Sequence, residues 1–200
     1  MDTAAPGLEA VMATAELRRR ADRRPDYEAE NRALLSLARQ LANSPTGFLQ
    51  ALSDCAMALC RAESAGVSIL EEHAAGRLFR WHAVSGRFSP NIWGTMRRDA
   101  SPCGIVIDSD ATQLMIRPER AFAELRQAAP AISEALLVPF RTRGMPVGTL
   151  WVLLHDRTHG FDAEDARVLE RLGEFASSAY EILSALHVNA AGGDVRAGQA

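Results

Sequence analysis

Two strongly apolar runs constrain this chain most: Glu134 to Arg141 (EALLVPFR) and Pro146 to His155 (PVGTLWVLLH), separated by the turn TRGM. Each is bounded by turn residues and rich in branched and aromatic side chains, so the pair predicts two central strands joined at Gly144. Pro139 has no N–H to give to a ladder. Its presence predicts a bulge or an edge-facing position in the first of these strands.

A second hairpin precedes them. Ser64 to Glu72 (SAGVSILEE) and Arg77 to Gly86 (RLFRWHAVSG) have strand character and are joined by the turn-forming stretch His73 to Gly76. In Arg77 to Gly86, Phe79, Trp81 and Ala83 alternate with Leu78, Arg80, His82 and Val84, which predicts one apolar face and one polar face. Between the hairpins, Phe88 to Arg126 is long and irregular, with short helical pieces around SPCGIVIDSD and PERAFAEL and a strand at Gln113 to Ile116. A long connection inside a domain is commonly functional, and its aromatic and apolar content suits the lid of a pocket.

Helical periods flank the strands. Asp26 is an N-cap for a helix to about Asn43, with Leu34, Leu37 and Leu41 spaced by three and four residues. Ser44 and Pro45 open a second helix that runs to about Cys60. The final helix has Asp162 as N-cap, Asp165 as the reciprocal capping-box residue and Phe161 as a staple. Along it, Val168, Leu172, Phe175, Ala179, Ile182 and Leu186 form a heptad seam, with Leu169, Ala176, Tyr180 and Leu183 beside it. These boundaries predict one domain over residues 26–186, a flexible or loosely helical tail at 1–25 and a flexible tail at 187–200.

Composition removes several functions. The 22 basic residues are all Arg, which excludes Schiff-base chemistry, a lysine general base and a P-loop lysine. A net charge of -3 gives no electrostatic footprint for nucleic acid. Neither a secretory leader nor a run long enough to cross a membrane is visible, and three sparse cysteines argue against a disulfide scaffold. The expectation is a cytoplasmic protein with no nucleic-acid or membrane partner.

The order helix, helix, hairpin, irregular lid, apolar hairpin, long helix resembles a GAF domain. ALLVPFRTRGMPVGTLWVLLHD resembles the strand-turn-strand core of that family, and FDAEDARVLERLGEFASSAYEIL its closing helix. DYEAENRALLSLARQLA with SPCG is similar to the GAF regions placed ahead of bacterial sensor histidine kinases. The resemblance implies an α+β, GAF/PAS-like fold: an antiparallel sheet with terminal helices on one face and an irregular helical lid on the other. It also implies a sensory module that binds a small molecule and signals through its terminal helices in two-component-type signalling. A separate histidine kinase or response protein is the implied partner.

Candidate ligand contacts are Trp81 and Trp93 as aromatic walls, His82 and Arg97 as polar anchors, and Cys103 with Pro102 and Gly104 in the lid. Cys103 reads either as a thiol activated by Arg97 and Arg98, able to hold metal or haem, or as a small buried hydrophobe. Family chromophore domains attach bilin through a cysteine commonly followed by histidine, whereas Gly104 follows here. Neither bilin nor haem is therefore supported by the motif, and no metal set is expected. Cyclic-nucleotide binders of the family carry an Asn-Lys pair and a Phe-x-x-x-Asp-Glu stretch. This chain keeps Phe161 and Asp165 but has Ala166 next and no lysine.

The enzyme alternative is a free methionine sulfoxide reductase-like or redox-active thiol using Cys103. Cys55 and Cys60 lie five apart on a helix, about 140° around its axis, and so do not face one another. His155 and His159 lie in a loop-like segment rather than on a helical face. No catalytic constellation is found, and the expectation is a binding protein. It is expected to form a homodimer through Tyr27 to Asn43 and Asp162 to Leu186, using Leu34, Leu37, Leu41, Leu172, Phe175, Ala179, Ile182 and Leu186.

Overall fold

The strand-like stretch beginning at Ser64 folds as an antiparallel hairpin, β1 (Ser64–His73) and β2 (Gly76–Gly86). The computed structural model describes residues 7–74 and 76–194, with side chains as far as 184. β3 (Thr95–Arg97) and β4 (Gln113–Ile116) are short, and the two apolar runs form β5 (Glu134–Thr142) and β6 (Met145–Leu154). All pairings are antiparallel, in the order β3-β2-β1-β6-β5-β4. Pro139 lies beyond Leu137, the last residue of β5 that pairs with β4, and one residue before a register shift at Phe140/Arg141. The strand is open on one side there, where a missing N–H costs no ladder bond.

Helices α1 (Tyr27–Asn43), α2 (Phe48–Leu59) and α4 (Ala163–Asp194) cover one face of the sheet. Their core takes Val67 and Ile69 from β1, Val138 and Phe140 from β5, and Leu150, Val152 and Leu154 from β6. The other face carries α3 (Pro102–Ser109) and the irregular segments around it, over a separate core that includes Phe79, Trp81, Leu137 and Trp151. A single sheet thus divides two apolar cores, which is the α+β GAF-type arrangement.

Caps fix the starts of α1 and α4 as the sequence indicates, whereas Ser44 and Pro45 open a 3-10 turn ahead of α2 and Ser44 makes no side-chain cap bond. The Asp26 carboxylate accepts from the Ala29 N–H at 2.9 Å. At α4 the Asp165 N–H donates to Asp162 Oδ1 at 2.9 Å and the Asp162 N–H to Asp165 Oδ2 at 3.1 Å, a reciprocal box, with Phe161 fully buried before it. α4 continues in helical geometry to Asp194, past the Leu186 end expected for the domain.

The amino-terminal segment differs more from expectation. Instead of standing apart as a tail, residues 8–23 wrap the β4 edge of the sheet. Met12 bridges Met115, Ala13 N–H donates to Leu114 O at 2.8 Å, and Val11 and Leu17 are buried. Arg20 then clasps Glu134 through two 2.8 Å bonds, and Arg23 Nε donates to Asp165 at 2.9 Å. Residues 1–6 and 195–200 lie outside the described residues.

Candidate functional site

The candidate site lies between the sheet and the lid, and glycine makes room for its walls. A Cβ on Gly66 would stand 2.2 Å from the Trp151 ring, and one on Gly94 would stand 2.6 Å from Trp81. With those positions vacant, Trp81, Phe88 and Trp151 pack tilted or edge to face at centroid distances of 5.5, 6.4 and 6.0 Å. Beside this aromatic cluster is a cavity of about 40 Å³. Leu137 and Leu153 from the central strands, Met96 from β3, Cys103 from the lid and Ile132 just before β5 also line it.

A small buried polar group sits under the lid next to this cavity. Thr149 Oγ1 donates to Cys103 Sγ at 3.1 Å, and Trp151 Nε1 donates to Ser68 Oγ at 2.8 Å. Burial pushes the Cys103 thiol above its ordinary range, opposed by the hydrogen bonds with Thr149 and Ser68. A thiol held this way is protonated at neutral pH and a poor nucleophile. The arginines do not activate it: Arg97 pairs with Asp99 at 2.7 Å and Arg98 pairs with Asp108. Cys60 belongs to the helix-side core and Cys55 packs against it, on the other side of the sheet from Cys103.

The structure brings together only part of the expected contact set. Trp81, Pro102 and Cys103 line the cavity. Gly104 does not line it; a Cβ there would stand 1.9 Å from Arg98 O, so its role is close backbone approach. His82 bonds Glu71 Oε1 at 2.7 Å, and the exposed Trp93 stands edge-on to it at 5.5 Å. The displacement of His82 has a backbone cause. Val67 pairs with Ala83 and Ser68 with Trp81, which leaves His82 as an extra residue in a bulge. Beyond it the faces exchange: Ala83 joins the helix-side core and Val84 the lid-side core, against the simple alternation expected.

Phe88, Met96, Ile132 and Trp151 were not singled out by sequence reasoning. In β6 both faces are apolar, so alternation does not reveal that Thr149, Trp151 and Leu153 face the lid. His155 also contributes support at the rim: its ring bonds Ser64 Oγ at 2.7 Å and Ala131 O at 2.8 Å and stacks on Phe88 at 6.1 Å. His159 lies on the following loop, as expected.

The expected dimer seam is largely spent inside the protomer. Leu37, Leu172 and Ala179 are each about 1% exposed and belong to the helix-side core. Leu34, Leu41 and Phe175 pack against that core, with Phe175 6.0 Å from Phe48. For Leu37, Leu172 and Ala179 this corrects the assignment to a partner surface, whereas Leu34, Leu41 and Phe175 are only partly buried. Ile182 remains exposed, joined on α1 by Leu35, and the Leu186 side chain lies outside the described residues.

A two-core sheet with a lidded cavity on one face and long terminal helices on the other defines a GAF-type module. The GAF domain family matches residues 32–181, and the chain belongs to that family. No curated protein sequence matches it. Among solved structures, it resembles the GAF domain of a phosphoenolpyruvate-protein phosphotransferase from Coxiella burnetii, with a TM-score of 0.65 and 16% identity over 83% of this chain and 99% of that one. It also resembles the GAF domain of a protein assigned as a sensor histidine kinase in Pseudomonas syringae pv. tomato, with a TM-score of 0.55 and 19% identity over 81% and 93% of the two chains. The chromophore binding domain of Stigmatella aurantiaca phytochrome P1 gives a TM-score of 0.58 at 14% identity, over 80% of this chain and 62% of that one. At these identities the likeness is one of fold. Among the described residues, no helix is long and apolar enough to cross a membrane.

Proposed function

We propose that this GAF domain is a non-catalytic cytoplasmic sensor: a small molecule enters under the lid, and the change is passed to α1 and α4. The observation that carries the reading is the cavity bounded by Trp81, Phe88 and Trp151, whose floor strand β6 also faces the helix-side core. Strands whose alternate residues face the two cores are a contiguous physical link between ligand and helices. The fold shared with a domain of a sensor histidine kinase supports an output in two-component-type signalling, through a separate kinase or response protein.

Dimerisation belongs to the same proposal, through the exposed Leu35 of α1 and Ile182 of α4. The redox-enzyme alternative is not favoured, because the Cys103 thiol is buried and its pKa raised, and the other two cysteines lie on the opposite side of the sheet.

Titration of the purified protein with small molecules, followed at the indole N–H resonances of Trp81 and Trp151, tests the site. Saturable non-covalent binding, lost in Cys103→Trp and kept in Cys103→Ser, is the expected result. Binding that Cys103→Trp leaves untouched would place the site elsewhere. Thiol-dependent sulfoxide reduction abolished by Cys103→Ser would overturn the non-catalytic reading. Transmission is tested by hydrogen exchange, since ligand that leaves α1 and α4 protection unchanged would remove the signalling step.

A further inference from the structure

We propose that the lid-side cavity takes a compact, uncharged, apolar molecule of about two to four non-hydrogen atoms, such as a dissolved gas or a small volatile hydrocarbon. The inference rests on the sensory reading of this cavity and names the chemical class of its ligand.

Size is the first argument. A single water needs at least roughly 10–15 Å³ of such space, so about 40 Å³ holds only a few heavy atoms. Pockets for drug-sized ligands run to roughly 300–1,000 Å³, so a tetrapyrrole or a nucleotide does not fit the site as it stands.

Lining is the second. The walls are Trp, Phe, Met, Leu, Ile, Ala and Pro side chains plus the Cys103 thiol, and no charged side chain is among them. The polar atoms nearby are already engaged with one another: Thr149 donates to Cys103, and the Trp151 indole N–H donates to Ser68. A buried water needs two to four polar partners, so this space favours dryness, and an empty apolar cavity in a protein binds small apolar solutes. The side chains that would have met an anion are turned away, with His82 on Glu71, Arg97 on Asp99 and Arg98 on Asp108.

The third argument is that the occupant would touch the parts that have to respond. Trp81, Met96 and Trp151 come from the sheet, whereas Pro102, Cys103 and Leu125 come from the lid. A molecule filling the gap completes the dispersion contacts that a void withholds from its walls, and so draws lid and sheet together. With so few atoms its affinity is limited to about the millimolar to tens-of-micromolar range.

Indole N–H resonances of Trp81 and Trp151 provide the readout in the full chain. Xenon and cyclopropane should shift both saturably, while Trp93, exposed on the far side of the bulge, stays still. Ala135→Leu, which places extra methyl groups at the cavity wall, should remove the shifts. Because that variant risks misfolding, Leu137→Ala provides the converse test: a larger cavity should gain binding of benzene, which the wild-type protein excludes. Cyclic AMP or biliverdin shifting the same indoles, sensitively to Ala135→Leu, would overturn the apolar class while keeping the sensor reading. If no probe of either kind moved the two indoles in wild type or in Leu137→Ala, both the class and the sensor reading would fall.

Discussion

Cys103 is 4% exposed, and its thiol is held above the ordinary range by burial in spite of the Thr149 hydrogen bond. Cys60 is sealed at 0% and likewise pushed up by burial, while Cys55 is only half-buried. A thiol reagent at mildly alkaline pH should therefore modify about one equivalent in the native protein, Cys55, and the other two only on unfolding. Cys103→Ser should leave that native count unchanged. A fast equivalent that disappears in the variant would show the lid opening to reagent. His155 gives a second residue-scale prediction. Burial lowers its pKa, so the folded protein resists protonating it while the unfolded chain takes up a proton near pH 6.5. Stability linked to this ring is complete above that pH and is lost as pH falls through it toward the lower folded value. Urea midpoints at pH 7.5 and 5.5 should differ less in His155→Gln than in wild type, and an unchanged difference would exclude the residue as a contributor.

At the scale of elements, the amino-terminal arginines separate into two kinds. Arg19 is a surface residue paired with Glu16, with its side chain 72% exposed. Arg23 is 17% exposed; its backbone N–H also meets Asp162, and its guanidinium reaches Leu59 O and the wholly buried Asp165. Removing Arg19 takes away an exposed pair and should change stability by less than about 0.5 kcal/mol. Removing Arg23 takes from the buried Asp165 carboxylate its nearest cation, leaving Arg61 at 3.6 Å and the Asp162 N–H, and should cost up to about 3 kcal/mol. Equal urea midpoints for Arg19→Ala and Arg23→Ala would mean that the segment does not clasp the domain. The segment reads in sequence as a tail because half of its apolar residues are alanine, and because the carboxylates that Arg20 and Arg23 meet lie more than a hundred residues away.

For the whole molecule, the helix face decides which substitutions report on assembly. Ile182→Glu or Leu35→Glu places charge on exposed apolar surface and should shift a dimer to monomer in sedimentation with the fold intact. Leu172→Glu buries a charge in the helix-side core and should unfold the protein instead. A wild-type monomer at working concentrations would end the dimer proposal. Local pattern alone determined the hairpin boundaries, the caps at Asp26 and Asp162, the order of elements and the lid as the irregular stretch, because each depends on residues within a few positions of one another. Trp81, Pro102 and Cys103, which it singled out, line the lid-side cavity. Tertiary structure decided the rest. A one-residue bulge at His82 changes which face later residues of β2 occupy, and β6 is apolar on both sides, so neither strand's facing can be read from alternation. Leu172 shows the same limit on a helix. A heptad stripe states that a surface will be buried, but whether the sheet of the same protomer or a second subunit buries it depends on where the sheet lies.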